Sequence, residues 1–242
     1  MLINFVSTRS DDSELSITEI ASSIRPDVGL NVFPEGAATG WPHPRPYSAL
    51  IPKFQSIKEK AVKPALVGAV TDIPFVGGVN GMFFLKKDED TRVFTKTALT
   101  GHEVDRLQFM NPSNMLFIDE FPIGIGICYD LERDDGMAAY LVSQGAKLII
   151  HCKYHRSPPG TWKPAAWRSV LDTLSTAAAK FDVPIVSLNC SMDRPEYVLT
   201  PYSWQMSHNF VVDRTGFPLF MEYPTTTKSF VLDTEKMEVI KS

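Results

Sequence analysis

Short apolar runs rich in β-branched and aromatic residues recur along the whole chain, at 2–6, 28–33, 66–70, 82–85, 92–94, 115–118, 123–128, 148–150, 185–188, 209–212 and 230–232. Most are bounded by Gly, Pro, Asn or Asp, the pattern of strands that end in turns. Helical spacing of apolar residues separates them in several places. Leu15, Ile17, Ile20 and Ile24 fit a helix opening near Ser13, and 47–60 is a second, weakened by Pro52. The stretch 136–144 is a third, with Asp134 and Asp135 suited to the positive end of its dipole. The longest, 165–181, lines Trp167, Val170, Leu171, Leu174, Ala177, Ala178 and Phe181 along one face and stops before Pro184. Strands and helices alternate at both ends, and 66–128 is more purely β. No repeat, low-complexity tract or linker divides the chain, so a single α/β domain over 1–242, its sheets covered by helices, is expected.

Composition narrows the function classes. An apolar share of 44% with 21% charged residues is that of an ordinary globular chain with material for a large core. The net charge of −4, without a basic run, argues against nucleic acid or an anionic membrane surface as partner. The apolar 2–6 stretch is too short for a signal-peptide core, and the longest uncharged apolar run, 121–129, is too short to span a bilayer. Three cysteines argue against a disulfide framework, so a reducing, cytoplasmic setting is expected.

One of those cysteines is placed for chemistry. Cys128 closes the run Gly124-Ile125-Gly126-Ile127-Cys128-Tyr129-Asp130, where an apolar strand gives way to a thiol and then to charge. A strand end is where a substrate can reach a side chain, and glycines at 124 and 126 let neighbouring backbone approach. A thiol attacks as thiolate and needs a base or a cation beside it. None of the five histidines (His43, His102, His151, His155, His208) stands in a Cys-His protease context, although none is excluded. Glu35, after the strand Asn31-Val32-Phe33 and Pro34, is the better base, because a carboxylate in an apolar cleft holds its proton more tightly and can accept one from a thiol. Lys96 closes another strand and can set a positive charge beside a developing oxyanion. His151-Cys152-Lys153-Tyr154-His155 invites a metal reading, but zinc draws on a second ligand pair and Cys190 alone offers little. That segment is expected to line a pocket at a strand end. Cys152 and Cys190 read as structural thiols, and Trp162 and Trp167 as packing or interface residues.

Taken in order, these segments resemble the nitrilase (carbon–nitrogen hydrolase) superfamily. Phe33-Pro34-Glu35 is similar to its glutamate motif, Phe94-Thr95-Lys96 to its lysine motif, and Gly126-Ile127-Cys128-Tyr129-Asp130 to its cysteine motif. Glu103, in Gly101-His102-Glu103, resembles the second glutamate found after the lysine in many members. The similarity continues through 144–150 and 207–216. After the cysteine, the family's aromatic-Pro-Glu stretch is replaced by Leu131-Glu132-Arg133-Asp134-Asp135, at what is the pocket wall in the family.

The resemblance implies a four-layer α-β-β-α sandwich that dimerises through helices and hydrolyses small amides or nitriles without a cofactor or metal. It assigns attack to Cys128, proton transfer to Glu35, oxyanion stabilisation to Lys96 and the Tyr129 N–H, and orientation to Glu103. Tyr129, Lys153 and Tyr154 are expected at the substrate. Hydrolysis or transfer of N-carbamoyl or N-acyl groups by the same triad, and an inactive binding protein on the same scaffold, are the alternatives.

Overall fold

In the computed structural model, residues 1–8, 14–40, 44–99, 103, 113–154, 156–157, 164–191, 205–206, 208–222 and 228–241 are described. The strands are β1 (Leu2–Ser7), β2 (Leu30–Val32), β3 (Arg45–Pro46), β4 (Ala65–Ile73), β5 (Gly77–Leu85), β6 (Arg92–Thr95), β7 (Met115–Ile118), β8 (Phe121–Ile127), β9 (Leu148–Lys153), β10 (Arg156–Ser157), β11 (Ile185–Asn189), β12 (Gln205–Met206), β13 (Asn209–Val212), β14 (Pro218–Glu222), β15 (Lys228–Asp233) and β16 (Glu238–Lys241). The helices are α1 (Glu14–Ser22), α2 (Tyr47–Lys60), α3 (Tyr129–Glu132), α4 (Gly136–Ser143) and α5 (Pro164–Phe181).

Two large sheets result. One runs β16-β15-β1-β2-β4-β5-β6 with β3 also on β4; the other runs β14-β13-β11-β9-β8-β7. The centre of each is parallel (β1 with β2 and β2 with β4; β8 with β9 and β9 with β11) and the flanks are antiparallel. Residues of both sheets share one buried cluster, Ile3, Phe5, Val32 and Leu66 from the first with Ile125, Ile127, Leu148 and Ile150 from the second. The sheets therefore pack face to face, and each such side chain contributes about 1.5–3 kcal/mol on burial. On the outer face of the first sheet, Ile17 and Ile20 of α1 and Leu50, Phe54 and Ile57 of α2 meet Val67 and Phe83. On the outer face of the second, Leu131, Leu141, Val170, Leu174 and Ala178 meet Ile149, Ile185 and Phe210. The layers are α-β-β-α, as expected.

Local differences have local causes. Pro52 lies inside α2 without ending it, and that helix is anchored by its three buried residues. Helix α5 ends as anticipated: Asp182 takes a left-handed φ of 54° and the Val183 N–H reaches back to the Ala178 carbonyl. The apolar face of α5 packs on its own sheet. The side chains of Trp162 and Trp167 lie outside the described residues. Among these residues no helix is long and apolar enough to cross a membrane.

Candidate active site

Parallel strands deliver their C-terminal ends to one edge, and the chemistry gathers there. Glu35 lies in the turn after β2, Lys96 directly after β6, Cys128 directly after β8, and Tyr154 directly after β9. Gly68 of β4 brings the Glu35 turn in: a Cβ at that position would stand 2.1 Å from the Pro34 carbonyl and 2.6 Å from Glu35 Cα. Only glycine admits that approach.

Between the sheets Glu35, Lys96, Glu103, Asn80 and the Tyr154 N–H form one network. Glu35, Lys96 and Glu103 are each at most 2% exposed. Lys96 Nζ donates to both Glu103 oxygens at 2.9 Å and lies 3.7 Å from Glu35 Oε1. Asn80 Nδ2, from β5, donates to Glu35 Oε1 and, at 3.1 Å, to Glu103 Oε1. The Tyr154 N–H donates to Glu35 Oε2 at 2.7 Å. Burial pushes the Glu35 carboxyl up, against the opposing pull of Lys96 and Asn80. Burial alone would lower Lys96, but Glu35, Cys128 and Glu103 hold its ammonium well above the usual lysine range.

Cys128 itself sits at φ 48°, ψ −114°, a conformation a non-glycine residue adopts at a cost of about 1–3 kcal/mol. Three contacts hold it there. Its N–H donates to the Cys152 carbonyl at 2.8 Å, its carbonyl meets His151 Nε2 at 3.0 Å, and Asp130 clamps the turn. Asp130 Oδ2 accepts from the Ile127 N–H at 3.1 Å, while Oδ1 accepts from the N–H groups of Thr97 and Ala98 and from the Thr97 hydroxyl. One carboxylate thus ties the cysteine turn to the lysine turn. Burial, then the charges of Glu35 and Glu132, push the Cys128 thiol up, with Lys96 opposing.

No family model matches the sequence, and no curated protein matches it. Solved structures do. Glutamine-dependent NAD+ synthetase from Acinetobacter baumannii matches with a TM-score of 0.79 at 14% identity, over 100% of this chain and 48% of the other; the chain spans about half the length of that enzyme. A Saccharomyces cerevisiae protein, a member of branch 10 of the nitrilase superfamily, matches at TM-score 0.72 and 17% identity over 99% and 90% of the two chains. A mutant amidase from Nesterenkonia sp. AN1, with acrylamide added to its active-site cysteine, matches at TM-score 0.74 and 14% identity over 96% and 92%. The fold is that of the nitrilase superfamily.

Within this nitrilase fold, Glu35, Lys96, Glu103 and Cys128 converge at one strand edge, and Tyr154 joins them through its backbone. Tyr129 opens α3 with its side chain 38% exposed. Lys153 is fully buried beside Cys128 in register, one step past the Ile127–Cys152 pair. His151 and Cys152 face opposite sides of β9: His151 Nδ1 meets the Ser187 hydroxyl at 3.0 Å, and Cys152 lies in the core between the sheets. Consecutive strand residues cannot converge on one metal ion. His43, His102 and His155 lie outside the described residues. The glycines before Cys128 admit side chains rather than backbone: a Cβ on Gly126 would meet Leu131 at 2.4 Å, and one on Gly124 would meet Leu141 at 3.0 Å.

Sequence reasoning missed Asn80, and it named Asp130 and His151 without their contacts to the cysteine turn. Asn80 is a buried amide inside an otherwise apolar and glycine-rich strand, and that mismatch is the signal that could have found it.

Proposed function

We propose that this protein is a thiol hydrolase of non-peptide carbon–nitrogen bonds, acting on small amides through Cys128, Glu35 and Lys96. The observation that carries the reading is the buried Glu35–Lys96–Glu103 network within electrostatic reach of a strained cysteine at a strand-to-helix turn. In the reaction, Cys128 Sγ bonds to the amide carbon while its proton passes to Glu35. The carbonyl oxygen becomes an oxyanion facing the Lys96 ammonium and the Tyr129 N–H, which opens α3 and has no helical carbonyl to bond. The C–N bond then breaks, Glu35 gives its proton to the departing nitrogen, and ammonia leaves a thioester on Cys128. Glu35 next takes a proton from water, the resulting hydroxyl adds to the thioester, and the acid departs as the thiol is restored. Glu103 orients Lys96. That an amidase of similar fold carries acrylamide on its active-site cysteine supports a thiol mechanism on this fold.

The test is ammonia release from a panel of small amides, nitriles and N-carbamoyl compounds by wild type and by Cys128→Ala. Release from amides that the variant lacks supports the reading. Release from nitriles or carbamoyl compounds alone moves the activity within the same triad, and silence across the panel makes the protein an inactive relative. Dimerisation belongs to the same proposal; light scattering showing only monomer at all concentrations removes it.

A further inference from the structure

Cys128 has a second charged neighbourhood that the reaction above does not use. Lys153 ends β9, one strand over from the thiol, and its side chain is 0% exposed. Its Nζ has no hydrogen-bond partner among the described residues and stands 4.8 Å from the centre of the Phe210 ring. A buried ammonium left so is expensive to keep, so its presence beside a nucleophile asks for a role. Among the described residues, the groups facing it are Glu132 at the end of α3, Cys128 before that helix, and His208 beside the start of β13. On its own strand His151 bonds the Cys128 carbonyl.

Without it the charges around the thiol are predominantly negative. Glu35, Glu132 and Glu103 each disfavour a negative sulfur, and Lys96 is engaged with two of those carboxylates. We propose that Lys153 is a positioning residue of the thiol site: its dry ammonium supplies the second positive charge that lets Cys128 carry negative charge beside three carboxylates. The inference rests on Cys128 being the nucleophile but not on any substrate. Burial pushes the Lys153 ammonium down to about 8, against the pull of Glu132 and Cys128. The charge is therefore present below that pH and lost above it, whereas an ordinary thiol only gains reactivity as pH rises.

The experiment follows alkylation of Cys128 by iodoacetamide from pH 6 to 10, read on the Cys128 peptide by mass spectrometry. In wild type the logarithm of the rate should climb to about pH 8 and then level off. In Lys153→Arg, which stays charged, the climb should continue past that point. In Lys153→Met the rate at pH 7 should fall roughly 10- to 50-fold, the attraction of unit charges within about 10 Å at an effective dielectric near 20, and the levelling at 8 should vanish. A wild-type profile without the break, or a break unmoved in Lys153→Arg, overturns the proposal. Should neither variant fold, the wild-type profile decides alone. Amide turnover enters none of these readouts. Failure to hydrolyse amides would therefore remove the proposed function and leave this inference standing, while a missing break with turnover intact does the reverse.

Discussion

Two buried ionisable groupings flank Cys128, and they are built differently. On the Glu35 side each charged group is hydrogen-bonded, the Glu35 and Glu103 oxygens accepting from Asn80, Tyr154 and Lys96, and it is the neutral Asn80 Oδ1 that has no partner among the described residues. On the Lys153 side, Lys153 Nζ and Glu132 Oε1 have no hydrogen-bond partner among the described residues, although Glu132 lies 3.4 Å from His151 Nε2. A satisfied network in a dry interior is rigid and fixes where a proton and an oxyanion can go. Unsatisfied charges fix little, but they respond to pH and to charge arriving nearby. The contrast assigns geometry to the first group and electrostatic tuning to the second.

The strongest challenge to that division is removal of the thiol both groups serve. Replacing Cys128 by Ala should end turnover outright, whereas Cys152→Ala and Cys190→Ala, which remove buried thiols that donate to the Phe33 and Glu35 carbonyls, should leave the rate per folded molecule within a few-fold of wild type. Full activity in Cys128→Ala, measured as ammonia release, would abolish the comparison altogether. Next in size, Glu35→Gln keeps the shape and one acceptor but cannot move a proton. A loss of about 10²–10⁴-fold in turnover is expected. Turnover near wild type in that variant would mean that another group, with His151 the first to examine, takes the thiol proton.

How much of this was readable beforehand differs between the same two regions. Glu35, Lys96 and Cys128 announce themselves because each stands where an apolar run stops, and strand ends are visible as the point where hydrophobic pattern breaks. Asn80 was hidden because the apolar run at 82–85 stops short of it, while in the structure β5 begins at Gly77 and pairs along its length with β4. Asp130 was quoted inside the cysteine motif, yet its partners Thr97 and Ala98 come from the lysine turn and no local pattern points to them. Glu132 read only as a departure from a family pattern. The edge strands β14 and β16 escaped because short, polar-flanked edges lack the apolar continuity of central strands. The apolar face read along 165–181 packs on its own sheet.

Glu103 sharpens the division inside the Glu35 network. Its carboxylate accepts from Lys96 and Asn80, and among the described residues no hydrogen bond links it to Cys128. Glu103→Gln should leave Lys96 charged and alkylation near wild type, while turnover falls by about 10²-fold through misplacement of the ammonium. Equal losses in alkylation and turnover would make Glu103 part of the proton path rather than an orienting group.

The smallest effect bears on the unsatisfied side and is read in stability. An ordinary lysine holds its proton to about 10.4, whereas Lys153 in the fold holds it only to about 8. Between those values the unfolded chain binds the extra proton, so this residue makes the fold more stable as pH rises and penalises it most below 8. The cysteines act oppositely: burial raises Cys128 and Cys152, so unfolding releases their protons at high pH and favours the unfolded chain there. Wild type alone therefore shows a mixture, and the difference between wild type and Lys153→Met isolates the lysine. At pH 7 the variant should be more stable by about 1–3 kcal/mol, less than the full penalty because Glu132 loses its attraction. That advantage should shrink steadily above pH 8 and be gone near 10.5. Urea unfolding under reducing conditions at pH 7, 8.5 and 10 measures it. A difference that does not change with pH would show that Lys153 keeps its ordinary affinity for the proton, and with it the contrast between the two groupings would lose its electrostatic half.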